Sequence, residues 1–402
     1  MKYTPLPLDL IEIGQILPVD VWADNGVLLL RRGQTITSEH HKDLLRARSA
    51  AISDFDAEAW QKSYQRKINA LIEEGVPVEI IARACMPSEI LASDYQVSRE
   101  ARAGWLDLQE ILLGLLYQGA TSLNPLPRLE DIEQRALELL ANDPEDGLFI
   151  LFQALTDLTL GYSATHGLLT AVVCELTTEK LGMAASARRS LFRAALTMNI
   201  GMARTQGALA RQSEAPNYDQ RQLINNHSPL GHEILQGIGI TDEDQLDIVR
   251  WHHDPDEANG LARNLASRRI LRMADSFVAK MAPRKTRLAM SPLGAVKALL
   301  AGAAAETEKL GSAMATAVGF YPPGTYVQLA NGDVAIVIAR GLRANQPHVA
   351  ILVNAAGTPL SKYLYRDTSD GRFAIRAPVN AEKIKIIISL EKIATLRANH
   401  LS

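Results

Sequence analysis

Residues 225–254 read NNHSPLGHEILQGIGITDEDQLDIVRWHHD, and this stretch decides how the chain is to be understood. Apolar residues recur at helical spacing through both halves. His227 stands just before an expected helix, and His252 and His253 close a second one. His232 falls five residues after His227 and is expected on an exposed helical face. Outward from here the same chemistry recurs at two more places. His166 ends the string YSATH in an otherwise apolar helix, and Asp275 lies in RRILRMADSFVAKM. Neutral imidazole and carboxylate are ligands for zinc, iron and manganese, and side chains from several helices can converge inside a bundle. Five of the nine histidines fall in this central region.

The remainder of the chain frames that region. Residues 17–34, LPVDVWADNGVLLLRRGQ, alternate around Asp24-Asn25-Gly26, which predicts a β-hairpin because Asn-Gly tolerates positive φ. In TSEHHKDLLRAR, Thr37 or Ser38 is placed to cap a helix with Leu44 and Leu45 on its apolar face. His40 and His41 in its first turn have no carboxylate or cysteine companion and read as solvated. Helical text follows in AEAWQKSYQRKINALIEEG, VEIIARACM and the run through Leu108, Ile111, Leu112 and Leu115. It breaks at TSLNPLPR, residues 121–128, the best linker candidate. Helices then continue to an alanine-rich stretch, AVKALLAGAAAETEKL. From Gly319 the text becomes β-like: a Pro-Pro-Gly turn, an Asn-Gly turn, and strands in PHVAILVNAAGTPL and EKIKIIISL. The expected organisation is a small α+β domain over 1–55, a helical connector over 56–126, a helical bundle over 127–317 and a β-rich segment over 318–402. The fold class is mainly α.

Composition sets limits. The chain has 402 residues, 47% hydrophobic and 22% charged, with a net charge of −3. Mean hydropathy is −0.03, in the ordinary soluble range. No basic excess points to a nucleic-acid polymer. Cys85 and Cys174 stand alone, which excludes a disulfide framework and suits a reducing compartment. The most apolar region, Gly147 to Leu176, is interrupted by Asp157, His166 and Glu175, so no membrane span is expected. The start, MKYTPLPLDLIEIGQ, lacks the apolar core of a signal peptide. The chain reads as cytoplasmic.

The order His, HxxxG, His-His, Ala-Asp resembles the HD-GYP family, a branch of the HD-type metal-dependent phosphohydrolases of bacterial signalling. VGFYPPGTYVQLANGDVAIV resembles the β segment that commonly follows such a bundle, and the first 55 residues resemble the accessory domain that often precedes one. The resemblance therefore covers most of the chain and implies an HD-type helical bundle. It implies metal ligands at His166, His227, His252, His253 and Asp275. It also implies phosphate contacts to cyclic di-GMP from Lys280, Arg284, Lys285 and Arg287 in AKMAPRKTR. A solvated charge run explains those four residues equally well, and Arg268 and Arg269 are similarly open. Trp251 reads as core packing rather than a platform for a base.

The correspondence fails where the family is most characteristic. The segment resembling LLHDIGK reads ALTMNIGM, so Met198 and Asn199 replace the His-Asp pair and Met202 replaces the lysine. After Asp254 comes PDEANGL, with no Gly-Tyr-Pro loop. A neutral amide cannot bridge two cations as a carboxylate does, and a thioether is a poor ligand for hard metals. The first metal position would keep only His166 and Asp275; the second would keep His227, His252 and His253. Three histidines with an open position can hold one zinc or iron, whereas a two-metal centre is not supported. The expected cofactor is thus none or a single divalent metal: iron, manganese or zinc. Core histidines bonded to carbonyls, in a bundle that has outlived its reaction, explain the same residues. The resulting expectation is a degenerate HD-GYP signalling protein that binds cyclic di-GMP or a partner protein with little or no hydrolysis. The alternative is a phosphodiesterase or other phosphohydrolase with a mononuclear site. The related output-domain branch of the HD superfamily fits less well, because YPPGTYV looks like an HD-GYP appendage. The helices from Ala57 to Leu116 can pack on the bundle or support a homodimer.

Overall fold

A computed structural model describes residues 3–23, 27–91, 104–285, 289–301, 304–384, 386 and 388–401. They form two compact units, residues 1–103 with 122–128, and residues 104–121 with 129–402. As expected, the chain is mainly helical, with a small α+β part at the start and a β-rich part near the end.

In the first unit, β1 (Tyr3–Pro5), β2 (Val21–Trp22), β3 (Leu28–Leu30) and β4 (Ala51–Ser53) make an antiparallel sheet in the order β1-β4-β2-β3. Val21 pairs with Leu30 across the expected hairpin, whose turn residues Asp24, Asn25 and Gly26 lie outside the described residues. Helix α1 (Glu39–Ala47) is capped by Ser38, which accepts from the His41 amide. Its Leu45 is buried while Leu44 is exposed, so the expected two-leucine face is one leucine wide. Helix α2 (Asp54–Glu73) starts at Ser53, whose hydroxyl accepts from the Asp56 amide and donates to its carboxylate. Trp60 of α2 is fully buried in this unit's core with Leu17, Val19, Val21, Ile36 and Ile52, and donates to the Pro87 carbonyl. Of the helix expected in VEIIARACM, only α3 (Val78–Ile81) forms.

In the second unit, α4 (Trp105–Gln118) ends at Gly119, α5 (Pro125–Asn142) belongs to it from Leu129 onward, and α6 (Pro144–Thr156) follows. Helix α7 (Tyr162–Lys180) is buried continuously from Tyr162 to Thr178, which marks it as the central rod of the bundle. Around the chain come α8 (Ala185–Thr197), α9 (Ala203–Arg211), α10 (Tyr218–Gly237), α11 (Glu243–Trp251), α12 (Leu265–Met281), α13 (Pro292–Leu300) and α14 (Ala305–Val318). The alanine-rich text is two helices rather than one, because Ala301 and Ala304 are extended.

The β-rich segment is a five-stranded antiparallel sheet in the order β8-β7-β6-β5-β9. Its strands are β5 (Tyr326–Leu329), β6 (Val334–Ala339), β7 (His348–Val353), β8 (Pro359–Asp367) and β9 (Ile375–Val379). Alternation along β6 places Ile336 and Ile338 in one core and Ala335 and Val337 in another, so both faces are covered and the strand reads as a continuous apolar run. No strand is described in EKIKIIISL, of which residues 385 and 387 lie outside the described residues. Beyond it the chain forms α15 (Leu390–Leu401), which docks Ile393 in the first of these cores. Gly324, at φ +88°, lets the Pro-Pro-Gly turn lie directly on the Phe149 carbonyl of α6.

One buried ion pair fixes the end of α11. Arg268 is 2% exposed and holds Asp247 at 3.1 Å and the Pro255 carbonyl at 2.9 Å. Asp247 also accepts from the Leu261 amide and from Asn264. Residues 254–261 are thereby wound into tight turns, and any Cβ at Gly260 would overlap the Arg268 guanidinium. Removing one member of a buried pair leaves the other charge uncompensated and costs about 3–5 kcal/mol. Arg268→Ala should therefore lower unfolding stability by about that amount in a urea titration; a loss below ~1 kcal/mol would show that the turn is held elsewhere.

Candidate metal centre

Helix α10 begins nine residues before His227, at a reciprocal cap between Asn217 and Gln220. His227 therefore sits inside the helix, not ahead of it as the sequence suggested. Pro229 lies in the helix two residues further on. The His227 ring is buried, and its Nδ1–H donates to the Ile224 carbonyl at 2.6 Å. His252 follows the last residue of α11, is fully buried, and donates from Nδ1 to the Val249 carbonyl at 2.7 Å. Those bonds fix both tautomers, leaving each Nε2 as a bare lone pair.

The lone pairs converge. The two Nε2 atoms of His227 and His252 are 3.4 Å apart, and His253 brings its own Nε2 to 3.2 Å from that of His227. One ligand atom from each of the three residues lies within 4.8 Å of the others. The His227 and His252 acceptors face one another at this range, and a cation between them, or at His227 an Nε2–H from His253, relieves the repulsion. A proton is disfavoured, since burial lowers the basicity of His227 and drives His252 down to about 3. A divalent metal supplies the charge without that penalty, so the donor set fits a three-histidine metal site.

Asp275 of α12 completes the surroundings. Its carboxylate raises the basicity of His227, His252 and His253 alike, placing it within electrostatic reach of all three. Burial alone would raise its own pKa, but the His166 hydrogen bond and the facing imidazoles outweigh that and hold it below the usual carboxylate range. His166, buried in α7, approaches Asp275 Oδ1 with Nε2 at 2.7 Å and the Tyr162 hydroxyl with Nδ1 at 3.3 Å. The Nε2 that a metal would require is thus engaged as a donor to Asp275. At this position the residues fit a hydrogen-bonded pair rather than two open ligands.

Between these two groups runs the segment carrying Met198 and Asn199. A Cβ on Gly167 would lie 3.2 Å from the Leu196 carbonyl, and one on Gly201 would overlap the His227 carbonyl. Residues 196–201 are therefore clamped between α7 beside His166 and α10 beside His227. Met198 is fully buried, Asn199 is 5% exposed and Met202 is half-buried. The Asn199 amide nitrogen has no partner among the described residues; an unsatisfied buried donor costs about 1–3 kcal/mol.

The basic residues divide. Lys280 lies in the last turn of α12, and its carbonyl accepts from Met290. The Arg284 guanidinium lies 5.9 Å from the centre of the Tyr162 ring, with its Nε buried and unpartnered among the described residues. Lys285 is exposed and acts on the Glu214 carboxylate, and Arg287 lies outside the described residues. Arg268 is structural, and Arg269 pairs with Asp256 and Glu306. His232 is half-buried and reaches the Leu246 carbonyl; Trp251 is half-buried under Arg250. Reading the sequence missed Arg272, whose charge bears on His253. Its spacing of three from Asp275 on α12 was the available signal.

No known family's sequence profile matches the chain, and no curated protein sequence does. A solved structure that it resembles is "Bd1817, a HDG"Y"P protein from Bdellovibrio bacteriovorus", at 15% identity and a TM-score of 0.41, over 77% of this chain and 99% of that one.

The histidine pKa values set a pH dependence. A histidine less basic when folded than when unfolded stabilises the fold above its unfolded pKa of about 6.5, and that stability is lost as pH falls. For His252 the window runs from about 6.5 down to about 3. Metal-free protein should lose roughly 1.4 kcal/mol per pH unit from this group below pH 6. Urea unfolding in chelator at pH 7 and pH 5 measures it, and His252→Asn should flatten the slope; an unchanged slope in the variant would rule out this origin.

Proposed function

We propose that this chain is a degenerate HD-GYP signalling protein that binds cyclic di-GMP or a partner protein and hydrolyses little or nothing. The observation that carries the reading is the placement of Met198 and Asn199 in the segment clamped between the helices of His166 and His227. A two-metal centre needs an anionic bridge between its cations. Here the corresponding side chains are a buried thioether and a neutral amide, and His166 is hydrogen-bonded to Asp275. The tightly wound residues 254–261 add to this, since they leave no Gly-Tyr-Pro loop.

His227, His252 and His253 would hold one divalent metal, which when bound supplies positive charge for a phosphate oxygen or acidifies a water. The chain's own residues do the remainder. Arg284 offers guanidinium donors that suit phosphate. Arg272 adds a second cation near His253. The Asn199 amide is a donor, suited to holding an oxygen rather than a cation. Tyr162 and Asp275 keep the His166 imidazole in one orientation. Without a second metal ion to offset phosphate charge, binding is the better-supported outcome.

The convergent imidazoles favour the alternative, a phosphohydrolase with one metal. Elemental analysis and a cyclic di-GMP assay on one sample separate the two. The expected result is one metal per chain, lost in His252→Ala, with no linearisation of cyclic di-GMP in added manganese or iron. Turnover in the ordinary enzymatic range of about 1–1000 per second would sink the proposal. Met198→His with Asn199→Asp should raise the metal content toward two per chain without restoring hydrolysis.

A further inference from the structure

A second cavity lies away from the histidines, between the helical bundle and the C-terminal sheet. It encloses about 270 Å³. Its wall is apolar: Phe152 and Leu155 of α6, Met281 at the end of α12, Met290 and Pro292 before α13, and Val379 of β9. The polar groups of the lining are largely committed. Tyr326 donates to Gln153, Thr325 to the Pro322 carbonyl and Thr156 to the Gln153 carbonyl. Ser291 accepts from Gly294, and Asn380 from Glu382. Lys383 differs. It is an exposed ammonium at the rim, with no hydrogen-bond or ion-pair partner among the described residues, and the described lining holds no carboxylate.

We propose that this cavity binds a small amphipathic carboxylate, its chain against Phe152, Leu155 and Met290 and its carboxylate on Lys383. At ~30 Å³ per water-sized group the space suits about ten non-hydrogen atoms, which is the size of octanoate. An apolar wall with one polar anchor is the usual make-up of a small-molecule site. Among the described lining residues a cation of equal length would meet an ammonium and no acid.

The cavity touches residues on either side of the basic sequence stretch 282–288. Met281 leads into it, Ala289 and Met290 lead out, and the Met290 amide closes it on the Lys280 carbonyl at 2.9 Å. Arg284, three residues beyond Met281, stands over Tyr162, the partner of His166. An occupant therefore braces Met281 and Met290, which flank the stretch of sequence carrying Arg284. The inference does not depend on a metal at the histidines, so its test uses metal-free, full-length protein.

Octanoate, octan-1-ol and octylamine are titrated calorimetrically into the wild type, Lys383→Gln and Ala289→Phe. Octanoate should bind saturably, at least tenfold more weakly to Lys383→Gln and not at all to Ala289→Phe, while octylamine should not bind. Lys383 is a rim residue, so its result stands even if Ala289→Phe fails to fold. In hydrogen exchange the Met290 amide should slow at least threefold with octanoate. Absence of saturable binding, equal binding of octylamine, or wild-type affinity in Lys383→Gln would overturn the site. An unchanged Met290 amide would overturn the bracing.

Discussion

The bundle is organised around one steric constraint, the passage of residues 196–201 between two helices that nearly touch them. Gly201 is needed because its backbone lies on the His227 carbonyl and the Gly231 amide, where no side-chain atom fits. Gly167 plays a milder version of that part on α7, against the Leu196 carbonyl. With the turn seated in this way, His166 and His227 are held on opposite sides of one short strip of chain. The buried length of α7 supplies the rigidity, because its position is set by packing on nearly every side. The ligand geometry thus follows from backbone contacts that do not depend on what residues 198 and 199 are.

Electrostatics explains the different fates of the two flanks. Asp275 and His166 are joined by a hydrogen bond. Of the three remaining histidines, His227 and His253 lie within hydrogen-bond reach of each other through Nε2, while His252 faces His227 as a second acceptor. His227 and His252 are tied to carbonyls through Nδ1 and made less basic by burial, His253 is exposed, and one nitrogen of each ring lies close to the others. Asp275 lies close enough to favour positive charge at all three. One half of the cluster is therefore closed by a hydrogen bond, and the other brings together three imidazoles whose donor set suits a cation.

How much of this could be read from the sequence depended on whether the signal was local. Alternation in VAIVIA, the Asn-Gly turn at 331–332 and the long helical periodicities specified their elements directly, because each rests on neighbours in the chain. The convergence of His227 with His252 and His253 was legible only by analogy, since 25 residues and a helix reversal separate them. Arg268 was not legible at all. In the text it is one of two adjacent arginines, and only the fold reveals that one is buried on Asp247 while the other pairs at the surface. The start of α10 was misplaced because Pro229 and the polar run around His227 resemble a helix beginning, and the true cap at Asn217 is distant from them. Helix α15 was missed because the isoleucines of EKIKIIISL suggest a strand, and the helix begins only at Leu390.

Two uses of the histidines now separate by atom. A core histidine needs one satisfied nitrogen and tolerates an apolar environment for the rest of the ring. The Nδ1 bonds of His227 and His252 to carbonyls three residues earlier in their own helices meet that need completely. They account for one nitrogen in each ring and say nothing of the other. A purely structural role would be served as well by a side chain that places a donor opposite an acceptor, so that the two faces attract. Instead two acceptors face each other at 3.4 Å in a buried site, an arrangement that is repulsive until a positive charge enters. The packing role therefore accounts for the Nδ1 atoms, and a cation between the rings would account for the Nε2 atoms.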